Sequence, residues 1–216
     1  MIYDTWYIYG AGGLGAETVD ILKSALKFKK TNSVDLRFID DSGQKNSIFG
    51  LPVHAYEDCT FGKVTIAIGE PAIRKKIFEK IENSSLKISS ILAPTAVISS
   101  NCQIENGVIV GPLCSIQARA EIKTNVAVNT MAIIGHDVTV GKNAVISSMA
   151  NLGGGVVIGD NSYIGMGALI KEGINIGSNS IIGMGSVVYN DIPDGMIALG
   201  NPARVARKNE EQKVFK

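Results

Sequence analysis

The chain has little that could bind a polyanion, cross a membrane or hold a metal ion. Its 216 residues carry 21 basic and 20 acidic side chains, so no excess of positive charge favours nucleic acid or an anionic membrane. No apolar run approaches the length of a membrane span, and the N-terminus lacks the basic and apolar regions of a signal peptide. We therefore expect a cytoplasmic protein with no membrane span and no nucleic-acid partner.

Cysteine and histidine are scarce, which limits metal chemistry. The three cysteines, Cys59, Cys102 and Cys114, form no metal-ligand spacing and are interpreted as reduced thiols in a reducing cytoplasm. Only two histidines are present, His54 and His136. We expect no metal site.

What the second half of the sequence has is a strict six-residue repeat. From Leu92 to Val188, every sixth residue is Leu, Ile or Val. Neither a helix nor an ordinary strand returns to one face at that spacing, whereas a parallel β-helix turns one branched residue inward from each short strand. The position four residues after the branched residue is small or slender. The position directly after the branched residue is often glycine, where we expect a tight corner to favour a residue without Cβ. At three hexads per coil, the repeat predicts a triangular prism of about five turns.

The first 90 residues show strands and helices in alternation. A strand through Tyr9 leads over a glycine turn into an amphipathic helix, and a second strand ends in two carboxylates. After an expected loop, a third apolar strand precedes a second amphipathic helix. We expect residues 1–90 to form an α/β Rossmann-like domain, and residues 91–216 to form the β-helix, with a charged tail that covers the open end of the prism before fraying.

The glycine turn at residues 10–15 has the GxGxxG pattern, between a strand and a helix, that is typical of phosphate-binding turns. Acids at the end of the next strand can bind a ribose hydroxyl or a base edge at the same edge of the sheet. Because only one mononucleotide-sized unit precedes the prism, we predict a nucleoside diphosphate and not NAD; a plain turn with two solvated acids is the alternative. The predicted site consists of Gly10, Gly12, Gly13, Asp40, Asp41 and Gly69.

His136 is the main candidate for chemistry. It follows inward Ile134 and corner Gly135, so its ring is expected to point out of the core. Asp137 can hold the imidazole in one tautomer, and Gly154 follows one coil later, about 4.8 Å away, with a backbone N–H that can stabilise an oxyanion. A base beside a backbone donor suits acyl transfer, with a surface histidine of no function as the alternative.

The two halves together resemble a known family. The prism is similar to the left-handed β-helix acyltransferases, and GAGGLGAE, RFIDD, IAIGEPAIR, NTMAIIGHDVTVG, GMGALIKEGINIG and DIPDGMIALGNPARV resemble the sialic acid O-acetyltransferase and bacillosamine-pathway sugar N-acetyltransferase family over nearly all of the chain. The resemblance implies a left-handed coil and a homotrimer with active sites between subunits. It also implies acetyl-CoA as co-substrate and acetylation of the 4-amino group of a nucleotide-linked 4-amino-4,6-dideoxy sugar.

The resemblance also assigns roles to single residues. It implies that His136 is the general base, that Asp137 orients it, and that Asn129 lies close to the acceptor amine. The chain departs from some members at Leu14 and Val145, where they have histidine near the sugar nucleotide or the acyl donor. The acetyl-CoA groove implied by the family consists of Gly154, Met166, Met184, Pro202 and Arg204.

Other functions explain parts of the sequence. An O-acetyltransferase acting on sialic acid or another sugar differs only in the acceptor. An NAD-dependent oxidoreductase explains the glycine turn but not the prism, and a structural prism explains the repeat but not His136. A metal hydratase like the γ-type carbonic anhydrases needs three histidine ligands, which one prism histidine per chain cannot supply away from a three-fold axis. The sugar, the nucleotide, the length of the acyl group and the pathway stay open.

Overall fold

The computed structural model describes residues 5–30, 34–42 and 47–215. Its N-terminal part is a sheet with one helix on each face. The elements are β1 Thr5–Tyr9, α1 Gly13–Phe28, β2 Asp35–Ile39, β3 Ser47–Ile48, β4 Leu51–His54, a 3-10 turn Tyr56–Asp58, β5 Gly62–Ile66, α2 Pro71–Glu82 and β6 Leu86–Ile88. The strand order is β3-β4-β2-β1-β5-β6, and every pair is parallel except the β3–β4 hairpin.

Alternating side chains of the central strand β1 explain the two layers. Ile8 packs with Leu22 of α1 on one face of the sheet, and Tyr7 and Tyr9 pack with Ile81 of α2 on the other. The apolar periodicity of α1 therefore predicts its buried side, whereas in α2 the apolar Ile73 is exposed and the basic Arg74 is buried.

The expected loop between the second and third strands is wrong in part. That segment contains the strand β4, which pairs with β2 and ends at His54. A further strand, β6, follows α2 and extends the other side of the sheet. Both strands are short, and Pro52 interrupts β4, so neither shows the alternation that predicts a strand.

The second part is a left-handed parallel β-helix. Its strands pair with strands 18 residues away, as Ile109 pairs with Ala127, which confirms three hexads per coil. Face 1 consists of β7 Ile91–Leu92, β10 Ile109–Val110, β13 Ala127–Val128, β16 Val145–Ile146, β19 Tyr163–Ile164 and β22 Ile181–Ile182. Face 2 consists of β8 Val97–Ile98, β11 Ser115–Ile116, β14 Ile133–Ile134, β17 Asn151–Leu152, β20 Leu169–Ile170 and β23 Val187–Val188. Face 3 consists of β9 Gln103–Ile104, β12 Glu121–Ile122, β15 Thr139–Val140, β18 Val157–Ile158 and β21 Asn175–Ile176.

The large and small inward positions form one continuous core, as the repeat predicts. Leu92 is an exception and is partly exposed, because no coil lies beneath the first one. The corner positions need glycine because a Cβ there would collide with the backbone of the next coil. A Cβ on Gly135, for example, would lie 2.7 Å from the carbonyl oxygen of Leu152. The left-handed backbone conformation occurs two residues later, as at Asp137 with φ 60°.

The N-terminal part covers face 1 of the prism. Outward residues of that face, such as Ile109 and Ala127, share one buried cluster with Ile8 and Leu22. Arg74 of α2 is fully buried and donates to the backbone and side-chain oxygens of Asn125 at 2.7 to 3.1 Å. The contact is therefore both apolar and polar.

The tail forms a hairpin of β24 Met196–Gly200 and β25 Ala203–Lys208, and β24 extends face 1 beyond β22. Ala198 and Ala203 join the prism core, so the tail closes the open end as predicted. The expected fraying is wrong as far as Phe215, whose backbone N–H donates to Glu70. Among the described residues, no helix is long and apolar enough to cross a membrane.

Candidate active site

The His136 side chain projects from the edge between faces 2 and 3, with 61% of its surface exposed. Its ring lies against the backbone of Gly154 in the next coil, where a Cβ would be only 2.5 Å from the ring Cε1 and 2.6 Å from Nε2. The backbone of that coil is held in register, since Gly155 N–H donates to the His136 carbonyl oxygen at 2.8 Å. The structure thus brings together the predicted base and the predicted backbone donor.

Asp137 holds one nitrogen of the imidazole. Its Oδ2 lies 2.7 Å from His136 Nδ1, and both of its oxygens accept hydrogen bonds from Arg119 at 2.6 and 2.8 Å. These bonds, first from Arg119 and then from His136, lower the pKa of Asp137 to about 2. A carboxylate that stays ionised accepts a hydrogen bond from Nδ1–H, which leaves Nε2 as the basic nitrogen.

Sequence reasoning missed Arg119, although a signal existed. Arg119 precedes Asp137 by 18 residues, which is one coil in this repeat, so the two side chains stack at neighbouring levels of the same edge. A charge pair at the coil spacing is the pattern that could have found it.

The glycine turn forms the predicted helix N-terminus. α1 begins at Gly13, and no side chain caps its first turn. Nothing lies within 4 Å of a Cβ built on Gly12 or Gly13, so the protein itself leaves this space open. Gly15 serves packing instead, because a Cβ there would collide with the carbonyl oxygen of Gly10. Uncapped N–H groups at an open helix N-terminus form an anion site.

Asp40 and Asp41 differ in what they contact. Burial acts to raise the pKa of Asp40, but hydrogen bonds from Ser42 and from the N–H of Ala11 outweigh it and lower the pKa. Asp40 thus borders the glycine turn. Asp41 accepts hydrogen bonds from the Tyr9 hydroxyl at 2.5 Å and from Lys80 at 3.2 Å. Its carboxylate is already bound within the protein, which the sequence did not indicate.

Four of the remaining predicted residues lie at another edge of the prism. Asn129, Met166 and Met184 occupy the edge between faces 1 and 2, where the turn that contains Pro202 also lies, since Gly200 N–H donates to Ser186. The side-chain oxygen of Asn129 is buried without a hydrogen-bond partner among the described residues. Within one chain, face 2 separates this edge from His136.

Two predicted residues show no contact with this group. Arg204 lies on β25 and is exposed, and its guanidinium donates only to the carbonyl oxygen of Ala203 among the described residues. Gly69 lies at the carboxyl edge of the sheet, as predicted, but its neighbour is the ring of Phe215. Over the described ranges, no group of three or more histidine, cysteine or acidic side chains could hold a metal ion.

Family models match both parts of the chain. The model of the PglD N-terminal domain matches residues 6–81. A model of the bacterial transferase hexapeptide with six repeats matches residues 155–190, and one of the hexapeptide repeat of succinyl-transferase matches residues 131–171.

Solved structures match nearly the whole chain. The acetyltransferase domain of PglB from Neisseria gonorrhoeae is 30% identical, with a TM-score of 0.86 over 94% of this chain and 100% of that one. WeeI from Acinetobacter baumannii is 29% identical, with a TM-score of 0.87 over 94% and 99%. PerB from Caulobacter crescentus, in complex with CoA and GDP-perosamine, is 25% identical, with a TM-score of 0.84 over 94% and 97%. The chain is therefore an acyltransferase of the sialic acid O-acetyltransferase and bacillosamine-pathway sugar N-acetyltransferase family.

Proposed function

We propose that the protein transfers the acetyl group of acetyl-CoA to the amino group of a nucleotide-linked 4-amino sugar. The observation that carries the proposal is the exposed His136 ring, oriented by Asp137 and lying on Gly154. The comparisons support the two substrates, because PglB was solved in complex with acetyl-CoA and PerB with CoA and GDP-perosamine.

The geometry favours direct transfer. The sugar amine attacks the thioester carbonyl carbon while His136 Nε2 accepts a proton from the amine, and Nδ1–H stays bonded to Asp137. The C–N bond forms, the carbonyl oxygen becomes an oxyanion, and Gly154 N–H, which has no acceptor within the described chain, is free to bind it. The oxyanion then collapses, the C–S bond breaks, and CoA leaves as thiolate, which can take the proton from the imidazolium.

The nucleotide is proposed to bind at the N-terminus of α1. The open positions at Gly12 and Gly13 leave the backbone N–H groups accessible to a diphosphate, and Asp40 borders the same turn. Asp41 is a weaker candidate for ligand contact, because Tyr9 and Lys80 already bind it.

The complete site is proposed to form in a homotrimer. Face 1 is covered by the N-terminal part of the same chain, and His136 lies on the edge opposite that face. A sugar held by the N-terminal part therefore faces away from its own His136. Face 2 offers a contact surface for another copy, since Val97, Ile133 and Leu169 are apolar and exposed there.

Release of CoA from acetyl-CoA, measured with GDP-, UDP- and dTDP-linked 4-amino sugars and with free sialic acid, tests the function. We expect one of the amino sugars to be the acceptor and His136→Ala to lower kcat by about 10²-fold or more, with the KM for acetyl-CoA nearly unchanged. His54→Ala is the matched control, because this histidine ends β4 in the N-terminal sheet. Transfer to sialic acid alone would replace N-acetylation with O-acetylation. Near-native kcat in His136→Ala would refute the assignment of the base.

A further inference from the structure

The Arg119 side chain lies at the edge between faces 2 and 3, one coil before Asp137, and 66% of its surface is exposed. Among the described residues, its guanidinium bonds only to Asp137. An exposed ion pair usually adds little to the free energy of folding, because water screens both charges. The stability of the prism therefore gives no reason for an arginine at this position.

The backbone at this position favours glycine over arginine. Arg119 has φ 59°, in the left-handed region that a residue with a Cβ rarely adopts. At the same position two and three coils later, the chain has Gly155 and Gly173, also with positive φ. Arginine thus carries a conformational cost here, and the contact that it gains is the one with Asp137.

That contact is a fork on both carboxylate oxygens. Arg119 Nε donates to Oδ1 at 2.6 Å and Nη2 donates to Oδ2 at 2.8 Å, and the same Oδ2 lies 2.7 Å from His136 Nδ1. Two bonds from a rigid planar group fix the plane of the carboxylate, which a single bond to the imidazole would leave free to rotate. Oδ2 is therefore held toward His136.

We propose that Arg119 is a positioning residue for the transfer, which holds the Asp137 carboxylate so that His136 keeps its proton on Nδ1 and presents Nε2 to the acceptor amine. The proposal rests on the proposed function, since it assigns a residue that acts on the same base. Arg119 lies one coil before His136 and Gly154 one coil after it, so Arg119 acts through Asp137 and not on the oxyanion. Its bonds also lower the pKa of Asp137 to about 2, which keeps the carboxylate ionised.

Arg119→Gly tests this role without straining the backbone. Relief of the left-handed conformation offsets the added freedom of the unfolded chain, so the variant is expected to melt close to the native temperature. We expect kcat for CoA release to fall about 10-fold, with the KM for acetyl-CoA nearly unchanged. Arg119→Lys is expected to recover part of that loss, because an ammonium keeps the charge but cannot hold both oxygens in one plane.

Lys123→Ala is the matched control, and a double-mutant cycle locates the effect. Lys123 also forms an ion pair on the prism, with Glu121, but it follows face 3 at the edge away from His136, so its loss is expected to leave kcat unchanged. In Asp137→Ala, the carboxylate that Arg119 holds is absent, so adding Arg119→Gly is expected to lower kcat no further. An equal loss in both backgrounds would mean that Arg119 acts on a substrate directly, and the positioning role would be wrong.

Nitrogen NMR of the imidazole reports the position of the proton without a substrate. The chain has two histidines, so His54→Ala with isotope-labelled histidine and no affinity tag shows His136 alone. At alkaline pH, we expect the Nδ1–H form to dominate. Adding Arg119→Gly is expected to shift the ring toward the Nε2–H form, because a carboxylate that turns away no longer accepts from Nδ1–H, whereas Lys123→Ala is expected to leave the spectrum unchanged.

The outcomes distinguish this proposal from the proposed function. Native kcat or an unchanged tautomer in Arg119→Gly would overturn the positioning role and leave the sugar acetyltransferase standing. A smaller oligomeric mass of Arg119→Gly in light scattering would also overturn it, since the loss of activity would then come from assembly. If the native protein acetylates none of the amino sugars, the proposed function fails, and the tautomer alone decides whether Arg119 positions the ring.

Discussion

Gly154→Ala is expected to disable the protein without unfolding it. The added Cβ would lie 2.5 Å from His136 Cε1, about 1 Å closer than ordinary van der Waals contact. The Gly154 backbone is outside the left-handed region, so alanine fits it, and the exposed imidazole can swing away at little cost. The stability change is therefore expected to stay within about 0.5 kcal/mol. A base displaced by about 1 Å is expected to lose about 10²-fold in kcat.

A double-mutant cycle locates the effect. In His136→Ala, the ring that the new Cβ would strike is gone, so adding Gly154→Ala is expected to cause almost no further loss. CoA release gives kcat for the four proteins, and thermal unfolding checks that each is folded. If Gly154→Ala lowers kcat equally in both backgrounds, the glycine acts through its own backbone or the acetyl-CoA groove, and not through the ring. Native kcat in the single variant would refute the proposed position of the base.

Four further outcomes are expected. Light scattering should give a mass of about 69 kDa, three times the chain mass of 22.9 kDa. Leu169→Asp on face 2 should dissociate the trimer, whereas the matched Val157→Asp on face 3 should not. Assembly of Asp40→Ala with His136→Ala in equal amounts should restore about a quarter of native activity if each site uses two chains, and none if it uses one. The pKa of Asp137 is about 2 in the folded protein, below its unfolded value of 3.8. The stability that its ion pair contributes is therefore present above pH 4 and lost as the pH falls through 2. Melting curves of the native protein and of Asp137→Asn should converge only at that low pH. Arg74→Met should lower the free energy of unfolding by about 3 kcal/mol in thermal denaturation, because it leaves the buried carbonyl oxygens of Ile66, Ile68 and Asn125 without donors. Arg74→Lys should restore only part of that free energy.

The prism could be predicted from sequence because its repeat is a local rule. Each coil returns after 18 residues, so the spacing of Gly154 from His136 directly gave their contact. The same rule explains a feature that sequence reasoning overlooked. Asn125, Asn143 and Asn161 follow one another at that spacing, and their side-chain amides bond in series at 2.8 and 3.0 Å along the edge between faces 3 and 1. Stacked polar side chains at one coil spacing are readable once the period is known.

The contacts between the two parts follow no such period. Arg74 is a basic residue on an amphipathic helix, and its sequence pattern is that of a solvated side chain. Burial lowers the pKa of its guanidinium, yet the side chain is held by carbonyl oxygens at the end of β5 and by Asn125 of the prism. Only the packing of α2 against the prism could show this, because the partners are 51 residues apart in sequence.

The path of residues 209–215 was unpredictable for the same reason. A charged tail of mixed polar residues is usually mobile, since it cannot bury enough apolar surface to offset its conformational entropy. Here that loss is offset by N–H groups that any sequence possesses, which bind the buried carboxylate of Glu70, 144 residues away. Backbone donors leave no trace in a sequence pattern. The acceptor does, because an acid that caps α2 directly after a strand end and a glycine marks a site where a helix N-terminus and an anion meet. Glu70 was thus the residue from which the contact could have been sought, although its partner could come only from the fold.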